Sequence, residues 1–133
     1  MKGSCLCGTV RYEVDRLASP IGHCHCNTCR KSHGAAFNST ARVDRTDFRW
    51  LTGADSLAAF ESSPGKLRRF CRNCGSRLIA EWVAQSQVIV CVATLDEDPG
   101  TRPAAHIWLA DEVPWLAHAR DIPCFQNGPP AKK

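Results

Sequence analysis

The chain is 133 residues long, 44% hydrophobic and 23% charged, enough for one modest core and too short for two. Its formal net charge is +4 at pH 7, and loading seven thiolates with two zinc ions would bring this to about +1, so nucleic acid is not an expected partner. No apolar run approaches the roughly 20 residues of a membrane span, and the opening MKGSCLCGTV lacks the apolar centre of a secretory signal, so the expected setting is cytoplasmic, with no membrane partner.

From the start of the chain, TVRYEV alternates, with Val10, Tyr12 and Val14 on one side and Thr9, Arg11 and Glu13 on the other. A strand half-buried on a core shows this pattern, and here it follows directly on CLCG. A short helix is predicted inside HCHCNTCR, residues 23–30. Asn27 or Thr28 would cap it, Cys29 would lie in its first turn, Arg30 and Lys31 toward its other end, and Gly34 would close it. AFNSTARV, DFRWLTG and LAAFES read as strands separated by the turn formers Asp44, Gly53 and Asp55. KLRRFC and RLIAEW read as two more, joined through the cysteine-bearing turn RNCGS.

SQVIVCVAT is apolar on both faces, Val88, Val90 and Val92 being opposed to Ile89, Cys91 and Ala93. This predicts a central buried strand with Cys91 as a packing residue. DEDPGTRP follows as a loop and AHIWLA as a last strand. The expected organisation is one domain over residues 1–126 and a flexible tail over 127–133. Trp50, Trp82, Trp108 and Trp115 are expected in the core, given the area each can bury. The fold class is mainly β, with one short helix at the cysteine triad.

Nine cysteines would suggest a disulfide framework in a secreted chain, but the count is odd and no export signal is seen, so reduced thiols that bind metal are expected. Zinc is held by thiolates converging tetrahedrally from at least two segments. Cys5 and Cys7, spaced i, i+2, would point to one side of an extended segment. Cys71 and Cys74 form C-x-x-C, which a tight turn can present, with Gly75 free to take the backbone angle that follows. Together these pairs would make a closed structural site. Cys24, Cys26 and Cys29 supply three thiolates and leave a position for water or substrate, as catalytic zinc requires. Spacing leaves alternatives open: Cys71 and Cys74 could complete a site with the triad, or His23, His25, His33 or Cys124 could close it as fourth ligand. The basic set Lys66, Arg68, Arg69 and Arg72 reads either as a solvated strand face that offsets thiolate charge or as a site for a substrate carboxylate.

SCLCGTVRYEV, CHCNTCRKSHG, FCRNCGSRL, HIWLADEVPW and DIPCF occur in this order over nearly the whole chain, and in them the sequence resembles the glutathione-dependent formaldehyde-activating enzyme family. The resemblance implies a β-tent fold of several coiled antiparallel sheets organised by zinc. It implies two zinc ions, a structural one held by Cys5, Cys7, Cys71 and Cys74, and one held at the catalytic site by Cys24, Cys26 and Cys29. It further implies a carbon-sulfur lyase type of reaction, run as the addition of the thiol of glutathione to formaldehyde, with small-molecule thiol and aldehyde as partners. His25 and His33 are the candidates for a general acid. A non-catalytic zinc-binding module that mediates protein interactions is the competing expectation.

Overall fold

The computed structural model describes residues 1–116 and 122–127; the expected tail lies outside the described residues from 128 onward. The first sheet has three strands in the order β1-β2-β5, with β1 at Lys2–Ser4, β2 at Arg11–Val14 and β5 at Phe48–Thr52. The second has seven in the order β10-β3-β4-β9-β8-β7-β6. Its members are β3 (Ile21–Cys24), β4 (Asn38–Asp44), β6 (Leu57–Ser63), β7 (Lys66–Cys71), β8 (Arg77–Trp82), β9 (Gln87–Cys91) and β10 (Pro103–Ile107). One helix, α1 (Asn27–His33), follows β3 after a break of two residues. Pairing is antiparallel throughout except between β10 and β3, which run parallel.

The period-2 patterns of the sequence explain which faces meet. Val10, Tyr12 and Val14 are all fully buried and pack on Val43, Ile79, Val88 and Val90 of the second sheet. Tyr12 stacks on Phe48, and Trp50 meets both rings edge-on. A side chain on Gly3 of β1 could not be accommodated, because its Cβ would stand 2.2 Å from the Tyr12 ring. β9 lies centrally between β4 and β8, as its two-sided apolar pattern requires, but it ends at Cys91, and Val92–Thr94, expected to continue it, form a 3-10 turn. The one acid buried here, Glu81, is held between the guanidinium groups of Arg45 and Arg69, which compensates a charge that would otherwise be costly.

Several expectations are corrected. β1 and β3 were not anticipated: one is three residues long, and IGHC has neither alternation nor β-branched enrichment. The last strand ends at Ile107 rather than Ala110 because Trp108 takes a left-handed conformation, φ 60° and ψ 40°. Trp50 and Trp82 are partly buried, but Trp108 and Trp115 are 64% and 69% exposed. Trp108 is not core because it follows directly on β10, an edge strand whose residues are all exposed, and Trp115 lies beyond the last sheet strand.

Gly53 joins the two sheets at the base of the cysteine loop. Its φ is +75°, and a Cβ there would lie 2.3 Å from the carbonyl oxygen of Thr9. Gly65 has a similar φ of +78° with open space around it. Gly53→Ala is therefore expected to destabilise the protein more than Gly65→Ala, which costs only the left-handed backbone term of about 1–2 kcal/mol. Urea denaturation of the two variants compares them directly, and equal losses would show that the Thr9 contact relaxes freely.

Candidate metal centres and the cleft beside them

All nine cysteines are free, and seven of them gather into two clusters. The sulfurs of Cys5, Cys7, Cys71 and Cys74 lie within 4.8 Å of one another, as do those of Cys24, Cys26 and Cys29. Each cluster could hold a metal ion, and an all-thiolate donor set favours soft or borderline ions.

Two tight turns make the first cluster. Cys5 and Cys7 do not sit on an extended segment as expected. The Gly8 amide donates to the Cys5 carbonyl at 2.9 Å, and the turn brings their sulfurs to 3.5 Å. The second turn has the anticipated form: the Gly75 amide donates to the Cys71 carbonyl at 2.8 Å, with Gly75 at φ 77°. Ser76 fastens one turn to the other, its hydroxyl accepting from the Leu6 amide and lying 3.3 Å from the Cys74 sulfur. This hydroxyl and the backbone around it hold the Cys74 thiol down to about 5. Cys5 and Cys71 belong to the hydrophobic core itself, so this cluster is continuous with the packing between the sheets.

The triad is built by the junction of β3 and α1. Cys24 ends the strand, Cys29 lies in the first helical turn, and Cys26 is the helix cap, in place of the expected Asn27 or Thr28: its sulfur accepts from the Cys29 amide at 3.3 Å. Gly34 closes the helix in the left-handed conformation, as expected. Burial opposes ionisation of Cys26, but the Cys29 amide, the neighbouring thiols and Arg68 outweigh it and hold the Cys26 thiol below its ordinary value. Burial pushes Cys24 up to about 12 and also raises Cys29. Cys26 is thus the thiol of the three whose ionisation the protein favours, and a bound cation would favour that of the others.

No described histidine, cysteine or acidic residue joins this trio within the same reach. His23 bonds Ser39. His25 is fully buried, with its Nε2 2.9 Å from His106 Nδ1 and its Nδ1 3.9 Å from a Glu112 oxygen. Burial, with Arg68 and Arg77 adding to it, lowers His33 to about 4, so its ring is neutral. Cys124 is exposed and contacts Ile122. None of the four completes the triad, and neither His25 nor His33 lines the cleft described next.

A cleft of about 320 Å³ opens onto Cys24 and Cys29. Its floor is the face of the second sheet opposite the core: Asn38, Thr40 and Arg42 of β4, Ile89 and Cys91 of β9, Ala80 and Trp82 of β8, and Lys66 and Arg68 of β7. Ile107 and Trp108 form its wall. Arg68 is 96% buried, its guanidinium nitrogens 3.9 and 4.0 Å from the Cys29 sulfur, with Nε bound to Ser62. Asn38 pairs in register with Cys24. Of the basic set, Lys66 and Arg68 face the cleft, Arg69 is paired with Glu81 and Arg72 bonds the Leu57 carbonyl. Asn38, Thr40 and Arg42 were not singled out from the sequence, although the alternation in AFNSTARV already puts these three polar residues on one face.

A mainly β chain with one four-thiol cluster at the edge of its core and one three-thiol cluster beside a cleft defines a class of cysteine-organised β proteins. The profile of the family described as "Glutathione-dependent formaldehyde-activating enzyme" matches residues 1–111, and the chain belongs to that family. A Halomonas elongata protein, provisionally named a glutathione-dependent formaldehyde-activating enzyme, is 28% identical over 128 residues, covering 87% of this chain and 79% of its own. An uncharacterized lyase of Schizosaccharomyces pombe is 29% identical over 80 residues, 58% of this chain and 54% of its own. A crystal structure of a Rhodobacter sphaeroides protein superposes with a TM-score of 0.64 at 28% identity, covering 80% of this chain and 99% of that one. No described helix is long and apolar enough to cross a membrane.

Removing a thiol should have different consequences in the two clusters. Cys29→Ser is expected to lower the metal content of the loaded protein by one ion per chain, by elemental analysis, with the circular dichroism spectrum kept. Cys71→Ser, which opens a polar defect in the core, is expected to lose the spectrum as well. The same loss of fold in both variants would show that the triad is equally structural.

Proposed function

We propose that the chain is a zinc-dependent enzyme that adds the thiol of glutathione to formaldehyde, a carbon-sulfur lyase reaction run in the synthetic direction. Three clustered cysteine sulfurs, of which Cys24 and Cys29 line a cleft, with no fourth ligand among the described residues, carry this reading. Cys24, Cys26 and Cys29 would hold a catalytic zinc and Cys5, Cys7, Cys71 and Cys74 a structural one. The donor sets suit it, since tetrathiolate sites are closed and structural whereas three-ligand sites keep a position for chemistry. Bound zinc supplies Lewis acidity, which keeps a substrate thiol ionised at neutral pH.

In the reaction the substrate sulfur forms a bond to the aldehyde carbon. The π pair of the carbonyl moves to oxygen, and the proton released by the thiol ends on that oxygen, so S-hydroxymethylglutathione forms with no other reagent. Arg68 is the chain's counter-charge. Buried against Cys29, it offsets the negative charge of an assembly of thiolates that exceeds the charge of one divalent ion. Arg68 and Asn38, which line the cleft, would be the donors that steady the oxygen as it gains charge. Two reactants confined in one small cleft gain from proximity. The expected compartment is the cytoplasm, where thiols stay reduced.

Substituting cobalt for the metal makes the donor sets visible, because thiolate ligands give cobalt intense absorption. Glutathione is expected to add a sulfur to the triad's spectrum, and turnover of glutathione with formaldehyde is expected to exceed the uncatalysed rate. Cys26→Ser should return turnover to the uncatalysed rate while the four-cysteine cluster keeps its ion. An unchanged cobalt spectrum and a full rate in the Cys26 variant would instead make the chain a non-catalytic zinc module.

A further inference from the structure

One buried ring ties the wall of the cleft to the junction that carries the triad. His25 lies between Cys24 and Cys26 in the chain and is fully buried, its ring packed on Phe37 at 5.0 Å. A single short segment meets it at three points. The His25 amide donates to the Ile107 carbonyl at 3.0 Å, its Nε2 lies 2.9 Å from His106 Nδ1, and its Nδ1 stands 3.9 Å from a Glu112 carboxylate oxygen.

These three contacts bracket Trp108, which with Ile107 forms the wall. Among the described residues Trp108 is the one non-glycine with a positive φ. Such a backbone costs of order 1–3 kcal/mol and persists where its surroundings over-determine it. Burial of β10 does not supply that restraint, since all five of its residues are exposed, and an exposed sheet edge has low local stability. Contacts to His25 from both sides of Trp108 do supply it.

The far side of the ring decides which residue owns the hydrogen between His25 Nε2 and His106 Nδ1. With that hydrogen on Nε2, Nδ1 would be a buried lone pair with no hydrogen-bond partner and a carboxylate beside it, an arrangement of two acceptors. With the hydrogen supplied by His106, Nδ1 carries an N–H, and Glu112 is its acceptor after a side-chain movement of about 1 Å. The Glu112 side chain is 36% exposed, so it has room to make that movement.

We propose that His25 is a positioning residue of the cleft. In its Nδ1–H tautomer it accepts from His106 and presents its N–H to Glu112, and so latches Ile107 and Trp108 to the segment that bears Cys24 and Cys26. It touches no reacting atom. The consequence for turnover rests on the cleft being the place where thiol and aldehyde meet.

Proton-nitrogen correlation spectra of the zinc-loaded protein with labelled histidines report the tautomer, and His25 is expected to carry its hydrogen on Nδ1. A hydrogen on Nε2 overturns the latch. His106→Ala removes the donor, and exchange of the His25 amide is expected to run about fivefold faster, as loss of one hydrogen bond implies. His106→Asn places an amide nitrogen where Nδ1 stood and should restore the wild-type exchange. With glutathione and formaldehyde, His106→Ala is expected to raise the KM for glutathione about twofold to fivefold at unchanged kcat, because the wall is in place for a smaller share of the time. Both variants should keep two metal ions per chain. Equal exchange in wild type and His106→Ala, or no recovery in His106→Asn, overturns the latch, and faster exchange with an unchanged KM overturns its positioning role. A wild type that does not exceed the uncatalysed rate, with tautomer and exchange as expected, overturns the catalytic reading and leaves the latch standing.

Discussion

Four sulfurs confined within 4.8 Å are the constraint on which the molecule turns. As thiolates they repel, and two of them, Cys5 and Cys71, lie in the core, where a thiol has poor partners. A bound cation would convert the arrangement into a cross-link between Cys5 and Cys7 at the start of the chain and Cys71 and Cys74 in its middle, closing a loop of more than sixty residues. That loop contains β2, β3, α1 and β4 to β7. Fixing its ends limits the freedom of everything between them, in the way that covalent cross-links reduce the entropy of an unfolded chain. Small domains with a limited core often depend on such a staple.

The second sheet then divides the labour between its faces. Val43, Val88, Val90 and Ile79 turn to the first sheet, and their strand neighbours turn to the cleft. A one-residue slip would exchange core and cleft completely. The buried salt bridges of Glu81 with Arg45 and Arg69 bind β8, β7 and the turn after β4 in one register, and a mismatched register would strand that carboxylate without its partners. The geometry that orients Arg68 against Cys29 is thus maintained from the opposite side of the sheet.

Much of this was legible in the sequence. The alternation around Tyr12, the two-sided apolar run of β9 and the C-x-x-C turn with Gly75 each follow from local chemistry, and the structure repeats them. The two cysteine groups separate in space as the resemblance implied. What could not be read depends on neighbours distant in sequence. KLRRFC shows Lys66 and Arg68 on one face and Arg69 on the other, but nothing local says which face is buried, so the buried guanidinium of Arg68 is a product of topology. Trp108 looked like core because its bulk usually is; it is exposed because β10 lies at an edge. Likewise His25 was a candidate acid by type alone, and its burial against His106 is set by a pairing between residues 81 apart in the chain.

That pairing also sets an order of assembly. β6 to β9 connect by short antiparallel turns, so their contacts form between residues near in sequence, whereas the parallel pairing of β10 with β3 joins segments about eighty residues apart. Contacts between neighbouring strands form sooner than those that must close a long loop. On the ribosome the difference widens, since β10 emerges after every cysteine of both clusters. The nascent protein can therefore collect its thiols before Ile107 and Trp108 arrive, and the cleft acquires its wall last. An unfinished chain would have a more open triad than the finished one.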